Sequence, residues 1–246
     1  MVRLSVNVNK VATVRNARGG TEPSVEAAVK ACLDAGARGI TIHPRSDARH
    51  ITSQDVDSIA ALLAPLRSSV ELNIEGDPRP DLLDMVLRVR PHQCTLVPVR
   101  PGEITSEAGW SASSPRALVE DAVRKLRDVG VRVSLFVEPK PEPIDWAADV
   151  GADRVELYTE PYARAFERGE RAANESFARY AAAAEHAHER SLGVNAGHDL
   201  DLHNLPLFRT LPHLDEVSIG HALIARALFV GLATVVREYL DLLAED

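Results

Sequence analysis

The chain has 246 residues, and its composition already excludes several classes of protein. Hydrophobic residues make up 45%, which is enough for a large core. One-domain α/β barrels commonly have roughly 250 residues, so a single domain over residues 1–246 is the simplest expectation. With 36 acidic and 28 basic residues the formal net charge is −8, whereas nucleic-acid-binding proteins normally have a basic surplus. We expect no nucleic-acid partner.

The sequence also predicts a reducing compartment and no membrane anchor. Cys32 and Cys94 are too few for a disulfide framework and lack metal-ligand spacing. The N-terminal residues are too polar for a signal peptide. The most apolar stretch near the C-terminus, residues 227–236, is too short for a membrane-spanning helix, which needs about 20 residues. We therefore expect a cytoplasmic protein that has no membrane partner.

Taken in chain order, short β-branched runs alternate with longer segments of helical spacing. Runs of strand length lie near residues 4–6, 40–42, 70–74, 94–97, 131–137, 155–158, 194–195 and 217–219. Strands that alternate with helices predict parallel βα units. Eight such units favour a closed (β/α)8 TIM-type barrel, an α/β fold, over an open doubly wound sheet. The two longer connections predict a lid at residues 98–113 and an extra short helix within residues 158–174.

Helix boundaries have recognisable signals between these runs. Ser24 and Thr52 are predicted N-caps, the latter in the manner of a capping box. Ser114 is a third predicted N-cap, with Pro115 at the first helical position. Glycines that follow helical runs, just before strands, are predicted to take the left-handed conformation that ends a helix: Gly36, Gly130, Gly151 and Gly193.

Polar side chains cluster where the predicted strands end, and barrel enzymes carry their chemistry at the C-terminal ends of strands. His43 shares a loop with Arg45 and His50, which predicts anion binding or acid/base chemistry. Glu75 ends the third strand, where an apolar barrel mouth would raise its pKa and suit it to be a general base. Glu156 lies inside its strand and has either a catalytic role or a structural arginine partner.

The last two strands predict a phosphate site. They end in Gly197-His198 and Gly220-His221, and the loops after these strands commonly bind phosphate through backbone N–H groups. Arg18, beside paired glycines, is a predicted phosphate clamp, whereas Arg15 is expected to be solvated. No lysine lies within a strand, which disfavours a Schiff-base aldolase and leaves Lys10 as its only plausible amine.

Seven longer motifs occur in a fixed order along the chain: VNVNKVATVRNAR at residues 6–18, GITIHPR at 39–45, RHIT at 49–52, LNIE at 72–75, TLVP at 95–98, VNAGH at 194–198 and IGHA at 219–222. With these motifs the chain resembles the pyridoxine 5′-phosphate synthase family from the first strand to the last helix. The resemblance implies a cytoplasmic barrel that assembles into a homo-octamer. It implies that 3-amino-2-oxopropyl phosphate condenses with 1-deoxy-D-xylulose 5-phosphate to give pyridoxine 5′-phosphate, phosphate and water. It implies no organic cofactor and no metal.

The resemblance also implies a role for individual residues. His43 and Glu75 resemble the proton acceptors of the family, His198 its proton donor, and Glu156 the carboxylate that stabilises intermediates. Positions that hold the aminoacetone phosphate are matched by Asn7, Arg18, Gly220 and His221, with Asp199 beside them. Positions that hold the deoxyxylulose phosphate are matched by Arg45, His50 and Thr105, with Asn9 and Lys10 in the remaining part of that site.

The chain departs from well-known members of the family at a few positions. They have Asp-His in place of Asn9-Lys10, Glu in place of Val99, and Gly in place of Asp199. Asp199 would repel a phosphate unless its side chain turned away, although its backbone N–H could still bind. These residues resemble a second branch of the family.

Two other functions are compatible with the same residues. One is a metal-dependent barrel hydrolase or isomerase with His43, Glu75, His198 and His221 as ligands, although Asn7 and Asn9 stand where such enzymes have His-x-His. The other is a catalytically silent barrel that binds a phosphorylated metabolite.

Overall fold

The structure, a computed structural model, describes residues 2–98 and 108–244. Eight parallel strands pair in chain order, and the last pairs with the first to close a barrel. This confirms the predicted (β/α)8 fold. The strands are β1 (Arg3–Asn7), β2 (Gly39–Ile42), β3 (Glu71–Gly76), β4 (Gln93–Leu96), β5 (Arg132–Val137), β6 (Arg154–Tyr158), β7 (Gly193–Gly197) and β8 (Leu214–Ile219).

Helices surround the barrel: α1 (Asn9–Asn16), α2 (Val25–Asp34), α3 (Ser53–Leu63), α4 (Pro80–Val89), α5 (Arg116–Asp128), α6 (Pro141–Asp149), α7 (Glu160–Glu167), α8 (Glu170–Glu189), α9 (Leu205–Phe208), α10 (His221–Val230) and α11 (Leu232–Ala244). The extra helix predicted after the sixth strand is α7. Most of the predicted lid, residues 99–107, lies outside the described residues. Within the described ranges, none of these helices is long and apolar enough to span a bilayer.

Two of the three predicted N-caps are confirmed. The Ser24 hydroxyl accepts the N–H of Ala27 at 3.2 Å, and Thr52 forms a reciprocal capping box with Asp55. These bonds satisfy donors that the first turn of a helix otherwise leaves without partners.

The third predicted N-cap, Ser114, is wrong. The helix begins one residue later than expected, at Arg116, so Pro115 occupies the N-cap position. The Ser114 hydroxyl instead accepts the N–H of Ser111 at 3.0 Å and closes the turn that precedes the helix.

The predicted left-handed glycines are confirmed at three of four positions, with φ of 112° at Gly36, 80° at Gly130 and 85° at Gly151. Gly193 is wrong, because Ser191 takes the left-handed position with φ of 60°. Gly193 already belongs to β7. A Cβ there would lie 2.6 Å from Asp215 Oδ2 on β8, so close side-chain packing, rather than a turn, favours glycine.

The apolar core lies between the barrel and its helices, because alternate strand residues such as Ile40, Ile42, Val133 and Leu135 point outward and are fully buried. The inside of the barrel is polar instead. Asn195 Nδ2 on β7 donates to Gln93 Oε1 on β4 at 3.3 Å, although these strands are not neighbours. This bond therefore crosses the interior. Similar bonds connect the first four strands through Ser5, Thr41, Asn73 and Thr95.

Charged side chains close the N-terminal end of the barrel. Arg3 and Arg132 both form ion pairs with Glu71, and Arg154 Nη1 donates to Asn195 Oδ1 at 2.8 Å. The long side chains fill the barrel at the end opposite to the strand ends that were predicted to carry the chemistry.

Candidate active site

A cavity of about 900 Å³ opens at the C-terminal ends of the strands. This volume is in the range of small-molecule sites. Eleven of the predicted site residues line it: Asn7, Asn9, Lys10, His43, Arg45, His50, Glu75, His198, Asp199, Gly220 and His221. The strand ends thus bring together residues that are up to 214 positions apart in the sequence.

The first candidate pair consists of His43 and Glu75. His43 Nδ1 lies 3.7 Å from Glu75 Oε2, and both side chains are buried. The Asn9 side-chain oxygen accepts the N–H of His43 at 2.9 Å, and Asn7 Nδ2 donates to Glu75 Oε2 at 3.5 Å. Asn7 and Asn9 therefore fix the positions of the two predicted proton acceptors.

Burial shifts the two pKa values of this pair in opposite directions. It raises the pKa of Glu75, and the nearby charge of Glu156 raises it further, which agrees with the expectation from the sequence. The pKa of His43 is lowered well below its usual value by burial and then by His50 and Arg45. At neutral pH His43 is thus a neutral base, and Glu75 holds its proton more firmly than an exposed carboxyl.

The second candidate pair consists of His198 and Glu156. His198 Nδ1 lies 3.6 Å from Glu156 Oε1, and the imidazole packs edge-on against Phe136 with ring centroids 5.4 Å apart. Glu156 is fully buried beneath the cavity, and its ionic partner among the described residues is His198 and not an arginine. Of the two roles left open for Glu156, this geometry favours one next to the chemistry.

His198 is held in its charged form by this pair. Burial lowers its pKa, but contact with Glu156 and the charge of Glu75 outweigh burial and raise the pKa to about 9. A protonated imidazole at neutral pH is suited to donate a proton, the role that the family resemblance implies for it.

Two glycines allow backbone segments of the mouth to approach each other closely. A Cβ on Gly197 would lie 2.4 Å from the carbonyl oxygen of Ser218, and one on Gly220 would lie 3.0 Å from Asn7 Cβ. Gly220 immediately precedes α10, and His221 at the start of that helix lines the cavity. The N-terminus of α10 therefore presents its positive end to the cavity.

The loop after β2 carries Arg45 and His50, and side chains of α1 hold it in place through hydrogen bonds. Arg15 contacts both oxygens of Asp55, and Asn16 Nδ2 donates to the carbonyl oxygen of His50 at 2.8 Å. The expectation that Arg15 is solvated is wrong, since its side chain is only 13% exposed. Burial, followed by the charges of Arg45 and Lys10, lowers the pKa of His50 to about 4, so its imidazole is neutral.

Two predicted binding residues are not assembled with the others. Arg18 lies on the exposed turn after α1 and is not among the described residues that line the cavity. Thr105 lies outside the described residues. The roles of Arg18 and Thr105 stay predictions. Asp199 is exposed at the rim, and its N–H donates to the carbonyl oxygen of Gly197 at 3.1 Å, so this N–H already has a partner within the chain.

The cavity also has lining residues that the sequence did not single out. Tyr158 and Glu160 lie at the end of β6, from which only Glu156 had been selected. Arg79 lies outside the lining, but it donates to the carbonyl oxygen of Pro44 and so supports the loop that follows His43. Position at a strand end was the available signal for Tyr158 and Glu160. Arg79 had no comparable signal in the sequence.

Comparison with known proteins decides the family. The model of the family described as "Pyridoxal phosphate biosynthesis protein PdxJ" matches residues 4–245. The chain belongs to this family. Members of the PdxJ family at high similarity include proteins named pyridoxine 5′-phosphate synthase. The one from Leptospira biflexa is 48% identical over 254 residues, covering 99% of this chain and 98% of the relative. The one from Bacteroides fragilis is 49% identical over 240 residues, covering 97% and 98%.

Solved structures of proteins with other names share the barrel fold. A thiamine phosphate pyrophosphorylase from Pyrococcus furiosus superimposes with a TM-score of 0.63 at 15% identity, covering 98% of this chain and 95% of that one. A phosphoribosyl anthranilate isomerase from Thermus thermophilus gives 0.59 at 15%, covering 99% and 98%. At this identity the likeness concerns the fold alone. The resemblance predicted from the seven motifs is thus confirmed at the level of the family.

Proposed function

We propose that this protein is a pyridoxine 5′-phosphate synthase that condenses 3-amino-2-oxopropyl phosphate with 1-deoxy-D-xylulose 5-phosphate in vitamin B6 biosynthesis. The observation that carries this proposal is that two histidine–carboxylate pairs meet at one cavity, which His43, Glu75 and His198 line, with one pair suited to accept protons and the other to donate them. The names of relatives that are 48–49% identical over almost their whole length support it.

The proton transfers follow from the charge states of the pairs. Imine formation, loss of water, loss of phosphate and ring closure each need a proton to be removed at one atom and delivered at another. Neutral His43 takes up protons on one side of the cavity, and Glu75 does so once it has released the proton that its raised pKa holds. His198, charged beside Glu156, delivers them on the other. The amine that forms the imine belongs to a substrate.

Two phosphate groups need two anion sites, and the cavity has two basic regions. We assign the aminoacetone phosphate to the N-terminus of α10, with Gly220, His221 and Asn7. We assign the deoxyxylulose phosphate to the loop with Arg45 and His50, next to Lys10. Arg18 and Thr105 complete these two sites, respectively, as the resemblance implies.

We also propose that the protein is a cytoplasmic homo-oligomer, an octamer by analogy with the family. Two large apolar side chains near the end of α10 are strongly exposed, Leu228 at 73% and Phe229 at 89%. Neighbouring exposed apolar side chains are typical of a surface that another protein covers. Light scattering coupled to size-exclusion chromatography should give a mass several times 26.7 kDa, and Phe229→Asp should lower it.

The experiment that tests the function uses purified protein treated with a chelator and supplied with both phosphorylated substrates. Pyridoxine 5′-phosphate and released phosphate are measured together. Formation of the two at a one-to-one ratio supports the synthase and removes the metal-hydrolase alternative. Binding without product would indicate a barrel with a different second substrate, and the absence of binding would refute the proposal.

The metal-hydrolase alternative has a specific structural requirement. It needs at least three ligands that converge on one point, with His43, Glu75, His198 and His221 as the candidates. Within residues 2–98 and 108–244, no three His, Cys, Asp or Glu side chains are arranged so that they could hold a metal ion. Activity that chelator abolishes and a divalent metal restores would nevertheless establish this alternative.

A further inference from the structure

Thr159 makes an unusual use of its hydroxyl group. It is the residue immediately before α7, where a threonine normally caps the helix by accepting an N–H from the first turn. No such bond is formed here. The hydroxyl instead donates across to the carbonyl oxygen of Gly197 and accepts the N–H of Asp199 at 3.4 Å. The Thr159 side chain is completely buried, so these contacts are shielded from water.

Thr159 contacts the carbonyl oxygen of Gly197 and the N–H of Asp199, the residues on either side of His198, which is the predicted proton donor. His198 lies between Gly197 and Asp199 and has a φ of 72°, which is rare for a residue other than glycine. The N–H of Asp199 donates to the carbonyl oxygen of Gly197 at 3.1 Å, so these three residues form a γ-turn with His198 at its centre. A γ-turn with positive φ is strained and persists only where its surroundings enforce it.

Several described neighbours restrain the turn, and one of them is Asn204, whose Nδ2 donates to the carbonyl oxygen of Asp199 at 3.0 Å. The N–H of His198 itself donates to the carbonyl oxygen of Ser218 on β8 at 3.1 Å. Thr159 contacts both ends of the turn from the opposite neighbour, since it directly follows β6. Among the described residues, the turn is therefore held from β8 by backbone, from Asn204 by a side-chain amide, and from the end of β6 by the hydroxyl group of Thr159.

We propose that Thr159 is a positioning residue that holds the γ-turn around His198 and so directs the imidazole toward Glu156 and the bound substrate. The inference rests on the proposed function, in which His198 donates a proton. The backbone of Thr159 starts α7 independently of the hydroxyl, because its carbonyl oxygen accepts the N–H groups of Tyr162 and Ala163, both at 3.0 Å. Removal of the hydroxyl alone should therefore leave the helix intact.

Thr159→Val keeps the shape of the side chain and removes both contacts. We expect kcat to fall by about 10- to 100-fold, because a misdirected catalytic group loses rate steeply with distance. The KM values for both substrates should stay within about 2-fold, since Thr159 is not among the described residues that line the cavity. Thr159→Ser keeps the hydroxyl and should restore kcat to within about 3-fold of the wild-type value.

A pH profile separates positioning from a purely structural effect. The ionisable groups that face His198 are Glu156 on β6, Glu75 on β3, His43 after β2 and Asp199 next in the chain. Glu156 is the main cause of the raised pKa. An imidazole that turns away from it should shift the alkaline limb of kcat/KM to lower pH by about one unit. A general loss of stability would lower the unfolding temperature without moving this limb.

The control is Ser176→Ala, which removes a buried hydroxyl of α8 that has no hydrogen-bond partner among the described residues. It should change neither kcat nor the pH profile. His198→Gln is measured in parallel. If His198→Gln is inactive while folded Thr159→Val keeps the wild-type kcat and pH profile, the inference about Thr159 is wrong and the proposed function stands. If His198→Gln is fully active, the proton-donor role fails, and the inference fails with it. Should Thr159→Val not fold, Thr159→Ala, which also lacks a hydrogen-bonding side chain, takes its place, and full activity in that variant overturns the inference.

Discussion

Replacement of Glu156 by Gln tests the charge state on which the proposed chemistry depends. The pKa of His198 is about 9, against an ordinary value of 6.5. This difference corresponds to about 3 kcal/mol of preference for the charged imidazole, or about 2 kcal/mol once solvent at the partly exposed ring is allowed for. Glu156 supplies the largest favourable part and Glu75 the next. Glu156→Gln should therefore remove more than about 1 kcal/mol and lower the pKa of His198 by about one unit or more.

The assay is an NMR titration of the His198 ring proton, assigned by its absence from the spectrum of His198→Gln. The alkaline limb of the kcat/KM profile should move to lower pH together with this titration, because a proton donor is active only below its pKa. Glu120→Gln, which alters an exposed ion pair with Arg116 on α5, is the matched control and should move neither. An unchanged His198 titration in folded Glu156→Gln would refute the account of this pair.

Three other substitutions have defined outcomes. Glu75→Gln should lower kcat by about 10²-fold or more while calorimetry shows nearly unchanged substrate binding, and unchanged turnover would remove Glu75 as a base. Arg15→Met loses the contacts with Asp55 and should raise the KM for the deoxyxylulose phosphate by about 10-fold. An equal rise for the other substrate would contradict a local effect on the loop with Arg45 and His50. Gly197→Ala places a Cβ 2.4 Å from a carbonyl oxygen and should lower the free energy of unfolding by more than about 2 kcal/mol. Gly20→Ala, with nothing within 4 Å of its Cβ, is the control in chemical denaturation, and equal stability of the two variants would argue against this steric account.

The order of strands and helices could be predicted because each unit carries its own local signals. Apolar strand runs, capping residues such as Thr52 and helix-ending glycines act within a few residues of one another. Gly193 was wrongly predicted to end a helix in the left-handed conformation. Its neighbour in space is Asp215, 22 residues later, and no pattern within the helix end reveals that contact.

The candidate site likewise contains residues that could be predicted from local sequence signals and residues that could not. His43, Glu75 and His198 could be predicted, because the end of a barrel strand is recognisable in the sequence and leads into the mouth. Arg15 could not, because its burial depends on Asp55, which is 40 residues distant. Thr159 had the local features of an ordinary helix start, and only the position of β7 shows that its hydroxyl is used elsewhere.

The hydrogen-bonded interior of the barrel has a consequence for how this protein tolerates change. Barrels of this type usually fill their centre with branched aliphatic side chains, whereas here Thr41, Asn73 and Gln93 occupy it. Water satisfies such groups equally well in the unfolded chain, so they add little net stability, yet each becomes costly when it loses its partner. These polar residues instead specify the register of the strands. A strand that slipped by one residue would turn its amides and hydroxyls toward the apolar layer beneath the helices. Amino-acid substitutions inside the barrel should therefore be tolerated when both partners of a hydrogen bond are replaced together. In the apolar layer beneath the helices, by contrast, single aliphatic substitutions should be tolerated.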